Sequence, residues 1–151
     1  MASWLMKSEP DGFSIDELKA RKREPWDGVR NFQARNYMRQ QMVVGDRVFF
    51  YHSNCKVPGI VGLAKVASAS YPDPSQFDAS SKYFDPDSSA SDPRWWLVDV
   101  AFVKKFRRQI SLDELRTHAD ELDGMLLLRK GNRLSVMPVS DEHAEVILTL
   151  V

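Results

Sequence analysis

The sequence lacks features that would place it among membrane proteins or secreted, disulfide-bonded proteins. It has one cysteine, Cys55, among 151 residues, so no disulfide can form within the chain. No apolar stretch approaches the roughly 20 residues that a membrane-spanning helix needs, and no signal-type segment precedes the first predicted strand. We therefore expect a cytoplasmic protein with no membrane association.

The chain also lacks an excess of charge of either sign. Lys plus Arg and Asp plus Glu each number 21, and the pI is about 6.8. Proteins that hold nucleic acid by bulk electrostatic attraction are usually strongly basic, so this class is disfavoured, whereas a pocket that reads one base is not. The basic runs 21–23 and 104–108 are the candidates for phosphate contact, with a solvated surface as the alternative.

Neither a metal site nor a nucleophilic site is indicated. The three histidines, His52, His118 and His143, show no metal-ligand spacing with each other or with Cys55. His52 and Cys55 have no identifiable third group to orient them as base and nucleophile. We expect no metal, no cofactor and no covalent chemistry.

Hydrophobic patterning predicts one α+β domain, residues 1–151. Apolar strands are predicted at residues 3–7, 47–52, 60–66, 94–106 and 134–139. Capping residues Ser14, Ser111 and Ser140 predict three helices, and apolar spacing predicts another over 31–42. The connections are too short for helical crossovers, which favours a mostly antiparallel, curved sheet flanked by short helices.

Two segments are predicted to be irregular. The charged run 19–24, which Pro25 ends, is typical of a solvated surface. Residues 71–94 contain four prolines and four aromatic residues, so they predict a long ordered loop. This loop is either a lid or a segment that its aromatic residues pin to the body.

The stretch 25–36 has the composition of a site rather than of a core. It places Trp26, Asp27, Arg30 and Asn31 around one glycine turn, directly before a predicted helix. Free N–H groups at a helix start favour a polar ligand, and a tryptophan offers a flat face for stacking. We predict that Trp26 is a stacking wall for a planar molecule, with a plain core tryptophan as the alternative.

Two other polar stretches follow predicted strands. They are Lys7-Ser8-Glu9-Pro10 and Tyr51-His52-Ser53-Asn54. We predict that all three stretches meet at one pocket, where Ser53 and Asn54 read a base edge through hydrogen bonds. An ion pair between Glu9 and Arg30 is the alternative to a ligand role for these two residues.

Several motifs in a fixed order resemble those of the EVE domain family. The motifs are Trp4-Leu5-Met6-Lys7-Ser8-Glu9-Pro10, Trp26-Asp27-Gly28-Val29-Arg30-Asn31, Phe50-Tyr51-His52-Ser53-Asn54, Tyr71-Pro72-Asp73-Pro74, Pro93-Arg94-Trp95 and Arg133-Leu134-Ser135-Val136. The resemblance covers essentially the whole chain. It implies a PUA-like pseudobarrel, related to the YTH readers of methylated adenine, in which Trp26 takes the place of a cage tryptophan.

The resemblance implies recognition of modified bases in DNA or RNA. The predicted ligand-binding residues are Lys7, Ser8, Glu9, Trp26, Val29, Arg30, Asn31, Tyr51, Ser53, Asn54, Tyr71 and Asp73. The predicted function is a monomeric, non-catalytic reader of a modified nucleobase. One alternative is a small hydrolase similar to the ASCH domains, with Lys7 as base and Glu9 as its partner. The other is a protein-interaction module that uses residues 71–94.

Overall fold

A curled sheet of six strands forms the centre of the computed structural model, which describes residues 1–151. The strands are β1 Ser3–Ser8, β2 Arg23–Pro25, β3 Arg47–His52, β4 Gly59–Val66, β5 Tyr71–Pro72, β6 Trp96–Leu97, β7 Asp99–Ser111 and β8 Val136–Val139. The large sheet has the order β2-β7-β4-β3-β1-β8, and β5 pairs separately with β6. Only β1 and β3 run parallel. This half-barrel confirms the predicted α+β pseudobarrel.

Short helices flank the sheet. They are α1 Ile15–Arg21, α2 Phe32–Asn36, a π-helical turn Tyr37–Gln41, α3 Leu112–Thr117 and α4 Asp141–Thr149, with 3₁₀ turns at Pro74–Phe77 and Leu126–Leu128. Ser14, Ser111 and Ser140 cap α1, α3 and α4 as predicted, because each side chain accepts a backbone N–H of the first turn. None of the helices is long and apolar enough to cross a membrane.

The sheet has a core on each of its faces. Neighbouring strand residues point to opposite faces, and Met6 and Phe50 accordingly belong to a cluster that includes residues of α1 and α2. Leu5 and Phe49 belong to a second cluster, which includes residues of α3 and α4. All four side chains are 0% exposed, so β1 and β3 are buried on both sides and fix the centre of the fold.

Three segments differ from their sequence predictions. Residues 19–23 are exposed, as a solvated surface requires, but residues 23–25 are not irregular: they form strand β2, whose backbone pairs with β7. The predicted strand 94–106 is divided at Val98, whose carbonyl accepts the N–H of Trp26 at 3.0 Å, and β7 then continues to Ser111. The predicted helix 31–42 divides into α2 and the π-helical turn. The first two differences arise because these segments pair with strands that are distant in sequence. Local patterning of the sequence does not identify those partner strands.

Residues 71–94 form a loop that is bound to the body. Its centre is Gln76, which is 0% exposed. The Gln76 side chain donates to the carbonyl of Asp73 at 2.8 Å and to that of Trp95 at 2.7 Å, and it accepts from Trp95 N–H at 3.0 Å. Both ends of the loop are thus held by one buried amide, which favours the pinned arrangement over a lid.

Candidate functional site

A cavity of about 850 Å³ lies where β1, the turn after β2 and the loop 71–94 meet. Its wall includes seven of the predicted site residues: Lys7, Ser8, Glu9, Trp26, Val29, Arg30 and Ser53. Each of the three polar stretches contributes at least one of them. The structure therefore brings the three stretches together at one place.

Trp26 forms part of the cavity wall but is mainly a core residue. Its side chain packs edge-on against Phe50, with 5.5 Å between ring centroids, and against Phe13 at 6.3 Å. Only 7% of Trp26 is exposed, so the core alternative describes most of its surroundings, and its role as a stacking wall stays a prediction. The indole N–H has no acceptor within the chain, and no fully buried side-chain polar atom lacks a partner. This N–H therefore reaches solvent.

Five predicted residues lie outside the cavity wall. Asn31 caps α2, since its Oδ1 accepts the N–H of Ala34 at 2.9 Å. Asn54 is exposed, and its amide donates to Glu9 Oε1 at 3.0 Å. Glu9 thus binds an amide rather than Arg30, and the ion pair of Glu9 with Arg30, the alternative to a ligand role, is absent because Arg30 pairs with Asp73.

The other three residues outside the wall have contacts of their own. Tyr51 is 3% exposed and belongs to the core on the far face of the sheet. The hydroxyl of Tyr71 donates to Asp99, and burial together with this hydrogen bond raises the pKa of Tyr71 to about 12. Asp73 is 1% exposed and lies behind the cavity wall. These positions place none of the three against a ligand in the cavity.

Asp73 and Arg30 anchor the turn that forms one side of the cavity. Asp73 Oδ2 accepts the N–H of Gly28 at 2.9 Å and Nη1 of Arg30 at 3.1 Å. Its other oxygen accepts the N–H and the hydroxyl of Ser75. Arg30 also donates to the carbonyl of Tyr83, through Nε at 3.2 Å and Nη2 at 2.7 Å. Because these bonds occupy both groups, Arg30 and Asp73 position the wall rather than present free charges.

Gly28 permits Tyr83 to close one edge of the cavity. Gly28 has φ +82°, and a Cβ built there would lie 2.5 Å from Cζ of Tyr83. The end of the tyrosine ring therefore lies directly against the glycine backbone, a contact that no larger residue allows. Tyr83, and not the predicted Tyr71, is thus the tyrosine of the loop that lies on the cavity wall.

Five charged residues on the wall form no ion pair within the chain: Lys7, Glu9, Asp27, Lys82 and Arg133. Burial lowers the pKa of the Lys7 ammonium, which lies 5.7 Å from the centre of the Tyr51 ring. Burial, and then the nearby charge of Asp73, raise the pKa of the Asp27 carboxyl. No side-chain hydrogen bond holds Asp27. The Asp27 carboxylate is thus available to a ligand, whereas the Lys7 ammonium lies beside Tyr51 on the far face of the sheet. No group of His, Cys, Asp and Glu side chains is arranged to hold a metal ion.

Several cavity residues were missed at the sequence level. They include Phe13, Asp27, Lys82, Tyr83, Arg133 and Ser135, of which Asp27 was named in the stretch 25–36 but not among the ligand-binding residues. Asp27, Arg133 and Ser135 lie in motifs of the resemblance, which was the available signal for them. Lys82 and Tyr83 lie in the long loop, whose path over Gly28 leaves no local pattern in the sequence.

A match to a protein-family model identifies the family of this chain. The model described as "EVE domain" matches residues 2–150. The chain belongs to the EVE domain family. Thymocyte nuclear protein 1 of Mus musculus is 46% identical to this EVE chain, over 97% of this chain and 72% of the mouse protein. The same protein of Homo sapiens is 42% identical over the same shares.

Solved structures share the fold of this EVE domain. A crystal structure of a Pseudomonas syringae protein has a TM-score of 0.95 and 46% identity, and the match covers 99% of each chain. The human THYN1 protein has been crystallised in complex with DNA that contains 5-methylcytosine. That structure has a TM-score of 0.93 and 42% identity, over 99% of this chain and 97% of the human one.

A more distant neighbour connects the EVE domain to ASCH proteins. A mutant ASCH protein of Zymomonas mobilis has a TM-score of 0.56 at 10% identity, over 99% of each chain. At this identity the likeness concerns the fold alone and carries no argument about catalysis.

Proposed function

We propose that this EVE domain binds a modified nucleobase of DNA or RNA in the 850 Å³ cavity, without covalent chemistry. One observation carries the proposal. The human THYN1 protein, which has nearly the same fold and 42% identity, is found in complex with DNA that contains 5-methylcytosine. A base extruded from a strand needs a concave, partly aromatic pocket with a few polar groups, and the cavity has this composition.

The polar groups suit the edge of a base. The indole N–H of Trp26 is a free donor, and the Asp27 carboxylate is a free acceptor. Carboxylates accept hydrogen bonds from the exocyclic amine of cytosine. Tyr83 at the rim supplies an aromatic surface, so we infer that it contributes more of the stacking than the largely buried Trp26. Affinity then comes from ring contacts, and selectivity comes from the free donor and acceptor.

Two alternatives from the sequence stay as predictions. Lys7 and Glu9 both lie on the cavity wall, as a hydrolase similar to the ASCH domains would require. Glu9 accepts the Asn54 amide, however, and Lys7 has no carboxylate partner to accept its proton. A protein-interaction role of the loop 71–94 has no specific contact in its favour. Cytoplasmic localisation and a monomeric state also stay as predictions.

Direct titration tests the proposal. Wild type is titrated with the nucleoside 5-methyldeoxycytidine, with deoxycytidine, and with single-stranded oligonucleotides that contain either base, and every mixture is then examined by mass spectrometry. We expect 1:1 binding that favours the modified base, with all ligands recovered intact. Appearance of a hydrolysed product would overturn the non-catalytic reading, and equal affinity for every base would overturn base recognition.

Trp26→Phe is the informative variant, because it keeps an apolar ring and removes the free N–H. Loss of one hydrogen bond to the ligand corresponds to about 0.5–1.5 kcal/mol, or roughly 2- to 12-fold in affinity. The matched control is Trp96→Phe, because the Trp96 indole donates to the Pro93 carbonyl outside the cavity. We expect this control to bind as wild type does. Equal affinity in the two variants would contradict a ligand contact at Trp26.

A further inference from the structure

A smaller cavity of about 370 Å³ adjoins the 850 Å³ cavity, which is called the base cavity from here on. All charged residues on the wall of the smaller cavity are cationic. Its wall contains Arg129, Lys130 and Arg133 and no carboxylate. None of these three cations forms an ion pair within the chain. Arg133 also lies on the wall of the base cavity. A positive surface without internal partners therefore begins at the base cavity and leads away from it.

The basic runs expected to contact phosphate differ from this surface. Four of the seven cations in the two runs are paired with carboxylates: Arg21 with Glu24, Arg23 with Asp99, Lys105 with Asp16, and Arg108 with Glu114. A paired cation binds phosphate less favourably, because it must first break its ion pair with the carboxylate. In a chain of zero net charge, the cluster at 129–133 is therefore a local excess of positive charge next to the candidate site.

The turn that carries these cations is held in place. The Asn132 side chain donates to the carbonyl of Leu126 at 2.8 Å and accepts the N–H of Leu134 at 3.1 Å. Its backbone N–H donates to the carbonyl of Arg129 at 3.1 Å. Leu127, in the adjoining 3₁₀ turn, is buried in the core. The backbone of the turn is thus fixed before any ligand arrives, which lowers the entropic cost of binding.

We propose that the 370 Å³ cavity, the phosphate groove, holds the sugar-phosphate backbone next to the base in the larger cavity. This inference rests on the proposed function. Arg133 borders both cavities, so an anion in the groove lies within reach of a base covalently linked to it. Asn31 and Gln33 add amide groups that suit phosphate and sugar oxygens. The partner is therefore a strand of nucleic acid rather than a free base.

The test compares a short strand with a nucleoside in two double variants. The groove variant is Arg129→Gln with Lys130→Gln, neither of which lies on the base cavity. The control variant is Lys104→Gln with Arg107→Gln, which removes the same charge from exposed, unpaired positions of β7. Affinities for 5-methyldeoxycytidine and for a single-stranded oligonucleotide that contains it are measured at 50 and 200 mM salt.

We expect the groove variant to bind the nucleoside as wild type does but to bind the oligonucleotide more weakly. Each phosphate contact with a single strand contributes about 0.7 to the salt slope. Loss of two contacts therefore removes a slope of about 1.4, and the fourfold rise in salt should weaken wild type about sevenfold more than the groove variant. The control variant should keep the slope of wild type.

The other outcomes separate the two proposals. If the nucleoside binds and the two double variants share one salt slope, the groove carries no strand, although the base reader stands. If no nucleoside binds and the slope still depends on residues 129 and 130, base recognition fails while the groove stands. If poly-glutamate competes as well as a strand of equal charge, the groove is a site for acidic peptides and the nucleic-acid assignment is overturned.

Discussion

Replacing Asp73 with alanine tests whether the buried anchor holds the cavity wall. The Asp73 carboxyl group accepts hydrogen bonds from Gly28, from Arg30 and twice from Ser75. Alanine leaves the Gly28 N–H and the Arg30 guanidinium without this partner. Removal of one member of a buried ion pair costs about 3–5 kcal/mol. Because the Arg30 side chain is 22% exposed and solvent replaces part of the lost interaction, we expect the lower end, about 3 kcal/mol.

Urea unfolding measures this change. With a slope of about 2 kcal/mol per molar urea, a loss of 3 kcal/mol lowers the midpoint by about 1.5 M. Asp78→Ala is the matched control, because Asp78 makes the same two bonds to Ser80 that Asp73 makes to Ser75, but at an exposed position. The control should cost less than about 1 kcal/mol. The difference between the variants then isolates the contacts with Gly28 and Arg30.

A double-mutant cycle with Arg30→Met completes the test. If Asp73 and Arg30 act as one anchor, the double variant should be more stable than the sum of the single losses predicts, by at least about 1 kcal/mol. A change below 1 kcal/mol in Asp73→Ala, or strict additivity in the cycle, would refute the view that this pair stabilises the wall.

Two further predictions concern pH. Burial and the nearby charge of Asp73 raise the pKa of Asp27, so protonation should weaken binding of a cytosine base at a pH above the ordinary aspartate value of about 3.9; Asp27→Asn should lack this pH dependence in nucleoside titrations. Burial lowers the pKa of His52, whose Nε2 accepts the Ile15 N–H, so the neutral imidazole stabilises the fold above about pH 6.5 and this contribution declines below it. His52→Gln should flatten the loss of unfolding free energy between pH 7 and 5.

Local patterning predicted the parts of the fold that local interactions determine. The Ser14 capping box needs only residues 14–17, and the structure contains it. The continuous β-forming run at 47–52 is strand β3 at the centre of the sheet. By contrast, β2 forms because β7 pairs with it, and the sequence of residues 23–25 does not predict that pairing.

The same distinction holds for the candidate site. The polar stretches that end near Glu9 and Ser53 follow strands, so their meeting could be expected from a sheet. The burial of Trp26 could not be expected from the sequence, because Phe13 and Phe50, which pack against it, belong to other segments of the chain. Arg30 was predicted to bind a ligand, but in the structure it binds the carboxylate of Asp73, which lies 43 positions later in the chain.

The pairing of β1 with β3 and the pairing of β2 with β7 determine how late in synthesis the cavity can form. The chain between these strands contains the turn at Trp26, and β2 before that turn is held by β7, much later in the sequence. Contacts between residues far apart in sequence form slowly, because a long loop must close first. A chain emerging from the ribosome therefore has its first strand long before it has a cavity. Competence to bind should appear abruptly, once the wall residues Arg133 and Ser135, which follow β7, are also available.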